Sequence, residues 1–272
     1  MPAGGTDAAA GHKLWERTVL TQQQYVTEAL VLSVRDMGEA DRLAVLFSRE
    51  HGKISAAAYG ARRPRSRLAG TVQSFALVSV SLMPGRSLDT VGQCEVKRSF
   101  RELREDIVLM TYAAFLSELV SELWPDRSPE PSAYDVLLGA WSLLSERNPR
   151  LVSLAGAWQL LALAGFHPEY ERCVTCGQVL ALPAFFDACA GGGVCPVCEH
   201  TGLQPLDDAV CGFIDKLLNV NWKQPPQFKV TGTTLLQAEK ILIEFIAHRI
   251  ERPLKSMRFI QMMKGTERLE EK

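Results

Sequence analysis

The apolar positions between residues 25 and 98 fall into five short runs that are separated by turn signals. The runs are rich in β-branched and aliphatic residues and show no helical period, so they predict β-strands. Gly38, Gly52 and the pair Pro84-Gly85 mark turns, and a basic loop that contains Pro64 separates the third run from the fourth. Five short strands in about 75 residues favour a small closed barrel. The predicted strands cover 25–35, 42–48, 53–59, 72–83 and 87–96.

From residue 99 onward the apolar positions recur at helical spacing. Gly165 and Pro253 mark two helix ends, because glycine favours a helix C-terminus and proline cannot continue a helix. Residues 1–24 lack periodicity and predict a flexible extension. The pattern therefore predicts an α+β protein with a barrel at 25–98 and an all-α domain at 99–272. The predicted helices cover 103–124, 131–144, 151–165, 207–220 and 233–252, and a basic, apolar segment follows at 254–263.

Composition narrows the class of protein and its compartment. A chain of 272 residues exceeds a typical domain of about 100–200 residues, which agrees with two units. Hydrophobic residues at 47% and charged residues at 22% are ordinary for a soluble globular protein. No cationic region followed by an apolar run occurs at the N-terminus, and the most apolar helix is too short to span a bilayer and contains Gln159. We therefore expect a cytoplasmic protein without a membrane contact.

Four of the seven cysteines form two C-x2-C pairs, a first pair and a second pair that follows after eighteen intervening residues. Two such pairs at this separation are typical of one tetrahedral zinc site, because each tight turn directs two thiolates toward a shared ion. Protein sulfur atoms would fill all four positions, so the predicted Zn²⁺ ion is structural and stabilises the inserted segment 173–198. The alternative is four buried or disulfide-bonded cysteines. The predicted ligands are Cys173, Cys176, Cys195 and Cys198.

Positive charge is concentrated in one stretch of a nearly neutral chain. The formal net charge is −1, yet residues 49–67 contain six positively charged side chains and one negatively charged one, Glu50. Such a segment predicts a polyanion partner that contacts one face of the protein. The alternative is a solvated loop, which would normally mix charges of both signs. The candidate nucleic-acid contacts are Lys53, Arg62, Arg63, Arg65 and Arg67.

Several short motifs occur in a specific order along residues 25–263. They are Tyr59-Gly-Ala-Arg62-Arg63-Pro64, Phe100-Arg-Glu-Leu-Arg104-Glu-Asp106, Leu163-Ala-Gly165-Phe-His-Pro168, the two cysteine pairs, and Pro253-Leu-Lys255-Ser256. In this order they resemble the RecO family of bacterial recombination mediators. The resemblance implies an N-terminal OB-fold barrel followed by a helical domain that carries a four-cysteine zinc site. It also implies a nucleoid-associated protein that binds single- and double-stranded DNA and anneals complementary strands. With RecR and single-stranded-DNA-binding protein, it would help to load RecA.

Aromatic residues near the basic loop are a second candidate feature. An OB-fold barrel binds single strands by combining a positively charged groove with exposed aromatic platforms. Tyr59, Phe47 and Phe75 are the candidates, but most aromatic residues of a small barrel fill its core. The sequence leaves the choice among them open.

One motif suggests an enzyme instead. His167-Pro-Glu169 followed by Cys195-x-x-Cys198 imitates the signature of zinc deaminases. However, residue 194 is valine where the signature has proline, and the first cysteine pair would be surplus. No phosphate-binding loop, nucleophile elbow or dinucleotide fingerprint occurs in the sequence. We therefore predict a binding protein without enzymatic activity.

A protein-interaction scaffold, with only incidental DNA contact, is the remaining alternative. Lys255 and Arg258 lie among apolar neighbours near the C-terminus and are candidate contacts for an acidic, apolar peptide. The RecO resemblance implies such a peptide in the C-terminal tail of single-stranded-DNA-binding protein. A C-terminal helix that packs on its domain with its charges in water is an equally simple interpretation.

Overall fold

The structure, a computed structural model, describes residues 23–260. Its first part contains the strands β1 Tyr25–Met37, β2 Asp41–Ser48, β3 Gly52–Ala58, β4 Ala76–Met83 and β5 Asp89–Ser99. They close into a barrel in the order β1-β2-β3-β5-β4, in which only β3 and β5 pair in parallel. This OB-like arrangement confirms the predicted barrel. The predicted extension at residues 1–24 falls outside the described residues except for its last two positions.

β4 is shorter than the sequence predicts. The prediction began at residue 72, whereas the strand begins at Ala76. Val72 lies in the loop after β3, and its apolar side chain is buried there, where it packs with Ala61 and Leu68 into the barrel core. Phe75, directly before the strand, has a φ of 57°, which is incompatible with an extended chain. The apolar run therefore combines a loop that caps the barrel with the strand that follows it.

Helices form most of the described part that follows the barrel, and the predicted first helix is split in two. Asp106 has an extended backbone, and its carboxylate accepts hydrogen bonds from the amides of Val108 and Leu109 at 2.8 and 3.0 Å. This N-cap separates a short first helix from the long second one. Residues 255–260 are also helical. The helices are α1 Glu102–Glu105, α2 Ile107–Leu123, α3 Pro131–Leu143, α4 Pro149–Leu163, α5 Asp208–Leu218 and α6 Gly232–Arg249.

The helical domain also contains a small antiparallel sheet that the sequence did not predict. β6 Ala184–Asp187 lies between β7 Gly192–Val194 and β8 Gln204–Leu206. Runs of three or four residues are too short to show an alternating pattern. The description as an all-α domain is therefore refined to a helical domain with one inserted sheet.

Apolar contacts join the barrel to the helices. One cluster of buried residues fills the barrel, and a larger one fills the helical domain and extends onto the outer face of the barrel. The ring of Phe47 lies 6.4 Å from that of Trp124 and 6.3 Å from that of Tyr134, and Phe75 lies 5.5 Å from Trp141. Helices therefore cover this side of the barrel, and a ligand of the barrel must approach elsewhere.

A single buried amide ties three parts of the helical domain together. Gln159 of α4 donates from Nε2 to the carbonyls of Leu217 and Val220 at 3.2 and 3.0 Å. Its Oε1 accepts a hydrogen bond from Trp222 Nε1 at 2.7 Å. The polar residue in the most apolar helix thus has a structural role. Within residues 23–260, no helix combines the length and apolar character that crossing a bilayer requires.

Candidate metal centre and nucleic-acid interface

The four cysteines of the two C-x2-C pairs lie together. Their sulfur atoms are all within 4.8 Å of one another, and those of Cys176 and Cys195 are 3.9 Å apart. A tetrahedral Zn²⁺ ion with bonds of about 2.3 Å places its sulfur ligands about 3.8 Å apart. All seven cysteines of the chain are free, so no disulfide competes for these sulfur atoms. The cluster therefore fits one metal ion with four protein ligands.

A tight turn shapes the first cysteine pair. The amide of Gly177 donates to the carbonyl of Cys173 at 2.8 Å, and the amide of Cys173 donates to the carbonyl of Gln178 at 2.8 Å. Gly177 has a φ of 73°, a conformation that only glycine adopts without steric cost. The chain reverses here, which leaves both sulfur atoms of the pair on the side of the cluster.

Strand β7 places the second cysteine pair next to the first. The amide of Gly193 donates to the carbonyl of Glu169 at 2.6 Å, which holds β7 against the segment before the first pair. A Cβ atom at the neighbouring Gly192 would lie 2.4 Å from the carbonyl oxygen of Glu169, so the close approach of these two backbones requires glycine there. Directly after β7, a single 3₁₀ turn at Pro196–Cys198 places the last two sulfur atoms.

Backbone amides favour the thiolate form of the first ligand. The amide of Cys195 points at the sulfur of Cys173 from 3.4 Å. This hydrogen bond, followed by that from the amide of Cys176, lowers the pKa of Cys173 to about 6. Because the thiolate is the form that binds a metal, the fold prepares this sulfur for coordination.

The deaminase signature is not assembled. Among residues 23–260 the metal-binding cluster contains sulfur ligands alone. His167 instead directs Nδ1 at the carbonyl of Pro168, 3.1 Å away, and the Glu169 carboxylate accepts from the amides of Glu171 and Arg172. A catalytic zinc site keeps one position open for water, whereas four sulfur ligands leave none. Four sulfur ligands in this arrangement would leave a bound ion no open position for substrate.

The basic loop between β3 and β4 is a series of turns at one end of the barrel. Gly60, with a φ of 67°, reverses the chain after β3, and its amide donates to the Asp41 carboxylate at 2.7 Å. The amides of Arg63 and Ser66 then donate to the carbonyls of Gly60 and Arg63, each at 3.0 Å. The loop also packs apolar residues into the barrel core. It therefore has a defined shape without forming a strand or a helix.

Arg62 fastens this loop to the turn between β1 and β2. Its backbone amide donates to the carbonyl of Ala40 at 2.9 Å. Its guanidinium donates to the carbonyl of Gly38 at 3.1 Å and lies 3.4 Å from the Asp36 carboxylate. The side chain is 38% exposed, so it remains accessible while it is engaged with the barrel.

Arg42, which was not among the predicted contacts, holds the far side of the same loop. From β2, its guanidinium donates to the carbonyls of Ala69 and Val72 at 3.3 and 3.2 Å. The sequence feature that could have indicated this role is a positive charge at the start of an otherwise apolar strand. Together with Arg62, this residue anchors both sides of the loop to the barrel.

The remaining three arginines of the loop are Arg63, Arg65 and Arg67, and all are exposed. Their guanidinium groups form no hydrogen bond or ion pair with any residue in the described range 23–260. Three unpaired cations on a fixed loop produce a locally positive surface. Guanidinium groups suit such a surface because their donors can engage two phosphate oxygens at once.

Lys53 lies apart from these arginines. It is near the start of β3, whereas the basic loop follows the end of that strand. Its Nζ donates to the carbonyl of Ser121 at 2.5 Å and lies 3.4 Å from the Asp126 carboxylate. Lys53 therefore contributes to the contact between the barrel and the helical domain, and the structure does not bring it to the basic loop.

The three aromatic candidates differ sharply in exposure. Phe47 is 0% exposed and Phe75 is 6% exposed, because both pack against aromatic residues of the helical domain. Tyr59, immediately before the basic loop, is 59% exposed. Only Tyr59 is therefore accessible to a ligand.

A groove of about 680 Å³ lies between the barrel, α2 and the helical residues 255–260. Its lining is mainly apolar and includes Ile107, Met110 and Phe259. Two cations also line it: Lys255, which is exposed, and Arg104, whose guanidinium donates to the carbonyls of Ser74 and Phe75 at 3.1 and 3.0 Å. The Glu118 carboxylate also lines the groove and accepts hydrogen bonds from the amide and hydroxyl of Ser256 at 2.9 and 2.6 Å, so the groove combines apolar surface with two cations and one anion.

Arg258 lines a different cavity, of about 310 Å³, on the side of α6. The structure therefore does not bring Lys255 and Arg258 to one site, although they are three residues apart. Arg104, which was not among the predicted contacts, is the second cation of the larger groove.

Comparison with known proteins agrees with these two parts of the chain. Residues 22–100 match the family model "Recombination protein O N terminal", and residues 104–258 match "Recombination protein O C terminal". A DNA repair protein RecO from Symbiobacterium thermophilum is 36% identical over 248 residues, which cover 89% of this chain and 98% of the relative. Those from Pelotomaculum thermopropionicum and Cutibacterium acnes are 36% and 31% identical, over 87% of this chain and 93% and 98% of the relatives. The chain belongs to the RecO family.

Proposed function

We propose that this protein binds DNA through the exposed arginines of the basic loop and acts there as a non-enzymatic recombination mediator. Membership of the RecO family assigns it a role in DNA repair and recombination. The finer activities are part of the proposal: binding of single- and double-stranded DNA, annealing of complementary strands, and loading of RecA together with RecR. The observation that carries it is the fixed loop with its three unpaired guanidinium groups.

The position of the loop supports this proposal. Helices cover one side of the barrel, where Phe47 and Lys53 make interdomain contacts. The end of the barrel that carries the turn between β1 and β2 and the basic loop remains accessible, as the exposure of its arginines indicates. A polyanion attracted to these charges would approach this end of the barrel.

Annealing would follow from charge screening. Two complementary strands repel each other through their phosphates, and the encounter rate of like-charged molecules falls with that repulsion. Arginine contacts that neutralise phosphates on one strand, while leaving its bases accessible, would raise the rate of productive encounters. No covalent step and no nucleotide hydrolysis are needed.

We further propose that the four-cysteine cluster holds one Zn²⁺ ion in a structural role. The sulfur-to-sulfur distance of 3.9 Å and the lowered pKa of Cys173 support this assignment. Tetrahedral coordination by Cys173, Cys176, Cys195 and Cys198 would connect the two turns around β6 and β7. The metal would stabilise the inserted segment and take no part in binding DNA.

The larger groove is our proposed contact for the acidic, apolar C-terminal tail of single-stranded-DNA-binding protein. Lys255 and Arg104 would attract its carboxylates, and the surface around Ile107 and Phe259 would receive its apolar side chains. Ile107 is 52% exposed and Phe259 is 41% exposed, and because both line this groove they give a partner one shared apolar surface to cover. A protein-interaction scaffold is therefore the second candidate function.

Fluorescence anisotropy with a labelled single-stranded oligonucleotide tests the DNA-binding proposal. The test variant carries Arg63→Ala, Arg65→Ala and Arg67→Ala. Each phosphate contact on a single strand contributes about 0.7 to the slope of log K against log salt, so three lost contacts lower that slope by about 2. The same relation predicts a loss of affinity of roughly 30-fold at 0.2 M salt and a greater loss at lower salt.

A matched control removes three exposed arginines of the helical domain with Arg101→Ala, Arg147→Ala and Arg252→Ala. It changes the net charge equally and should bind the oligonucleotide nearly as well as the wild type does. Equal losses in both variants would contradict a specific interface at the loop. Wild-type protein that does not bind at low salt would refute the proposal and favour the scaffold.

A further inference from the structure

Four of the five aromatic residues between 23 and 100 have structural partners. The hydroxyl of Tyr25 donates to Asp89 at 2.6 Å, and its ring lies 4.6 Å from that of His51. The other three, Phe47, Phe75 and Phe100, pack on tryptophan rings of the helical domain. The fifth residue is Tyr59. Its hydroxyl and ring make no hydrogen bond or ring contact with the described residues.

The backbone around Tyr59 is fixed although its side chain is exposed. Ala58 and Ala61 on either side of it are 0% exposed and belong to the barrel core. Gly60 is held by the Asp41 carboxylate, and the next turn is held by Arg62. An aromatic ring that is 59% exposed on such a backbone loses little further freedom when a flat ligand covers it.

We propose that Tyr59 stacks on a base of single-stranded nucleic acid whose phosphates contact the exposed arginines of the loop. The inference rests on the proposed function, because the arginines would bring the strand to the ring. Every base has a π face, so stacking on tyrosine adds affinity without reading sequence. The bases of a duplex are already stacked on one another. Tyr59 therefore favours single-stranded over double-stranded DNA, whereas the arginines bind both.

The test compares two ligands of equal length and charge: a single-stranded oligonucleotide and an oligonucleotide of abasic sites with the same number of phosphates. Anisotropy is measured for the wild type, Tyr59→Leu and Tyr59→Phe. Loss of one stacked base is expected to weaken binding of the normal oligonucleotide roughly fivefold to tenfold in Tyr59→Leu. Binding of the abasic ligand should not change. Tyr59→Phe keeps the ring and should bind as the wild type does.

Leu236→Ala is the control, because Leu236 is a 46% exposed apolar residue of α6, in the helical domain. It should not change the affinity for either ligand. Equal affinity of the wild type for the two ligands would refute the stacking role, as would an equal loss on both ligands in Tyr59→Leu. In both cases DNA binding that requires the arginines would stand. Failure of the wild type to bind either ligand would instead refute the proposed function, and the stacking role with it.

Discussion

Replacing Gln159 by leucine tests whether one buried amide organises the helical domain. The side chain lies in α4 and is 8% exposed. It donates to the carbonyls of Leu217 and Val220 and accepts from Trp222 Nε1. Leucine has a similar volume but offers no hydrogen-bonding group, so the substitution removes three hydrogen bonds without opening a large cavity.

The expected loss follows from what each partner retains. The carbonyl of Leu217 still accepts a bond from the amide of Val220 at 3.4 Å, whereas Gln159 is the hydrogen-bond partner of the Val220 carbonyl. An unsatisfied buried carbonyl costs about 1–3 kcal/mol, and the lost bond to the partly exposed Trp222 about 1 kcal/mol. Leucine recovers part of this through its apolar surface. We expect the free energy of unfolding to fall by about 2 kcal/mol.

Urea denaturation followed by tryptophan fluorescence measures this difference. Gln93→Leu, at an exposed position of β5, is the control and should change the free energy of unfolding by less than about 0.5 kcal/mol. A double-mutant cycle with Trp222→Phe should give a coupling energy of about 1 kcal/mol, because the two side chains share a hydrogen bond. A Gln159→Leu protein as stable as the control would refute this reasoning.

Two further predictions concern the metal and pH. Elemental analysis should find one zinc ion per chain. The Cys195→Ser variant should lose the metal and become sensitive to protease within residues 173–198, whereas Cys189→Ser, which lies outside the cluster, should keep it. Full retention of zinc in Cys195→Ser would contradict the proposed site. Burial, followed by the hydrogen bond to Asp89, raises the pKa of Tyr25 from its ordinary 10.0 to about 12. Its contribution to stability is therefore complete below pH 10 and lost as the pH rises through 12. Tyr25→Phe should flatten the pH dependence of the free energy of unfolding over this interval. An equal slope in the wild type and the variant would contradict a role of the Tyr25 hydroxyl in this pH dependence.

The metal cluster was predictable because each half of it is encoded by a short, contiguous motif. Two C-x2-C motifs each bring a pair of sulfur atoms together within one turn, and one ion accepts all four. The barrel was predictable for a similar reason, since each strand carries its own apolar run. The sheet β6-β7-β8 was not, because β7 is short and packs its glycines closely against the backbone of Glu169, a segment more than twenty residues away in sequence.

The roles of the basic residues required the three-dimensional structure. In sequence, Arg62 and Arg63 are equivalent neighbours, yet the first is engaged by Asp36 and the second is unpaired. Lys53 carries the same charge as the loop arginines but neutralises Asp126 at the other end of its strand. Whether a cation forms an ion pair depends on which carboxylates lie near it in space. A count of charges along the chain does not reveal this.

The apolar surface shared by barrel and helices makes the two family segments one folding unit. A fragment that ended at Ser99 would expose Leu30, Phe47 and Phe75 to water, and we expect it to aggregate. If both parts unfold together, a ligand that binds one part also stabilises the other. Nucleic acid that binds the native barrel would also protect α3 and α4 against unfolding by mass action, although it need not touch them. Amide exchange in these helices would therefore report whether nucleic acid occupies the end of the barrel.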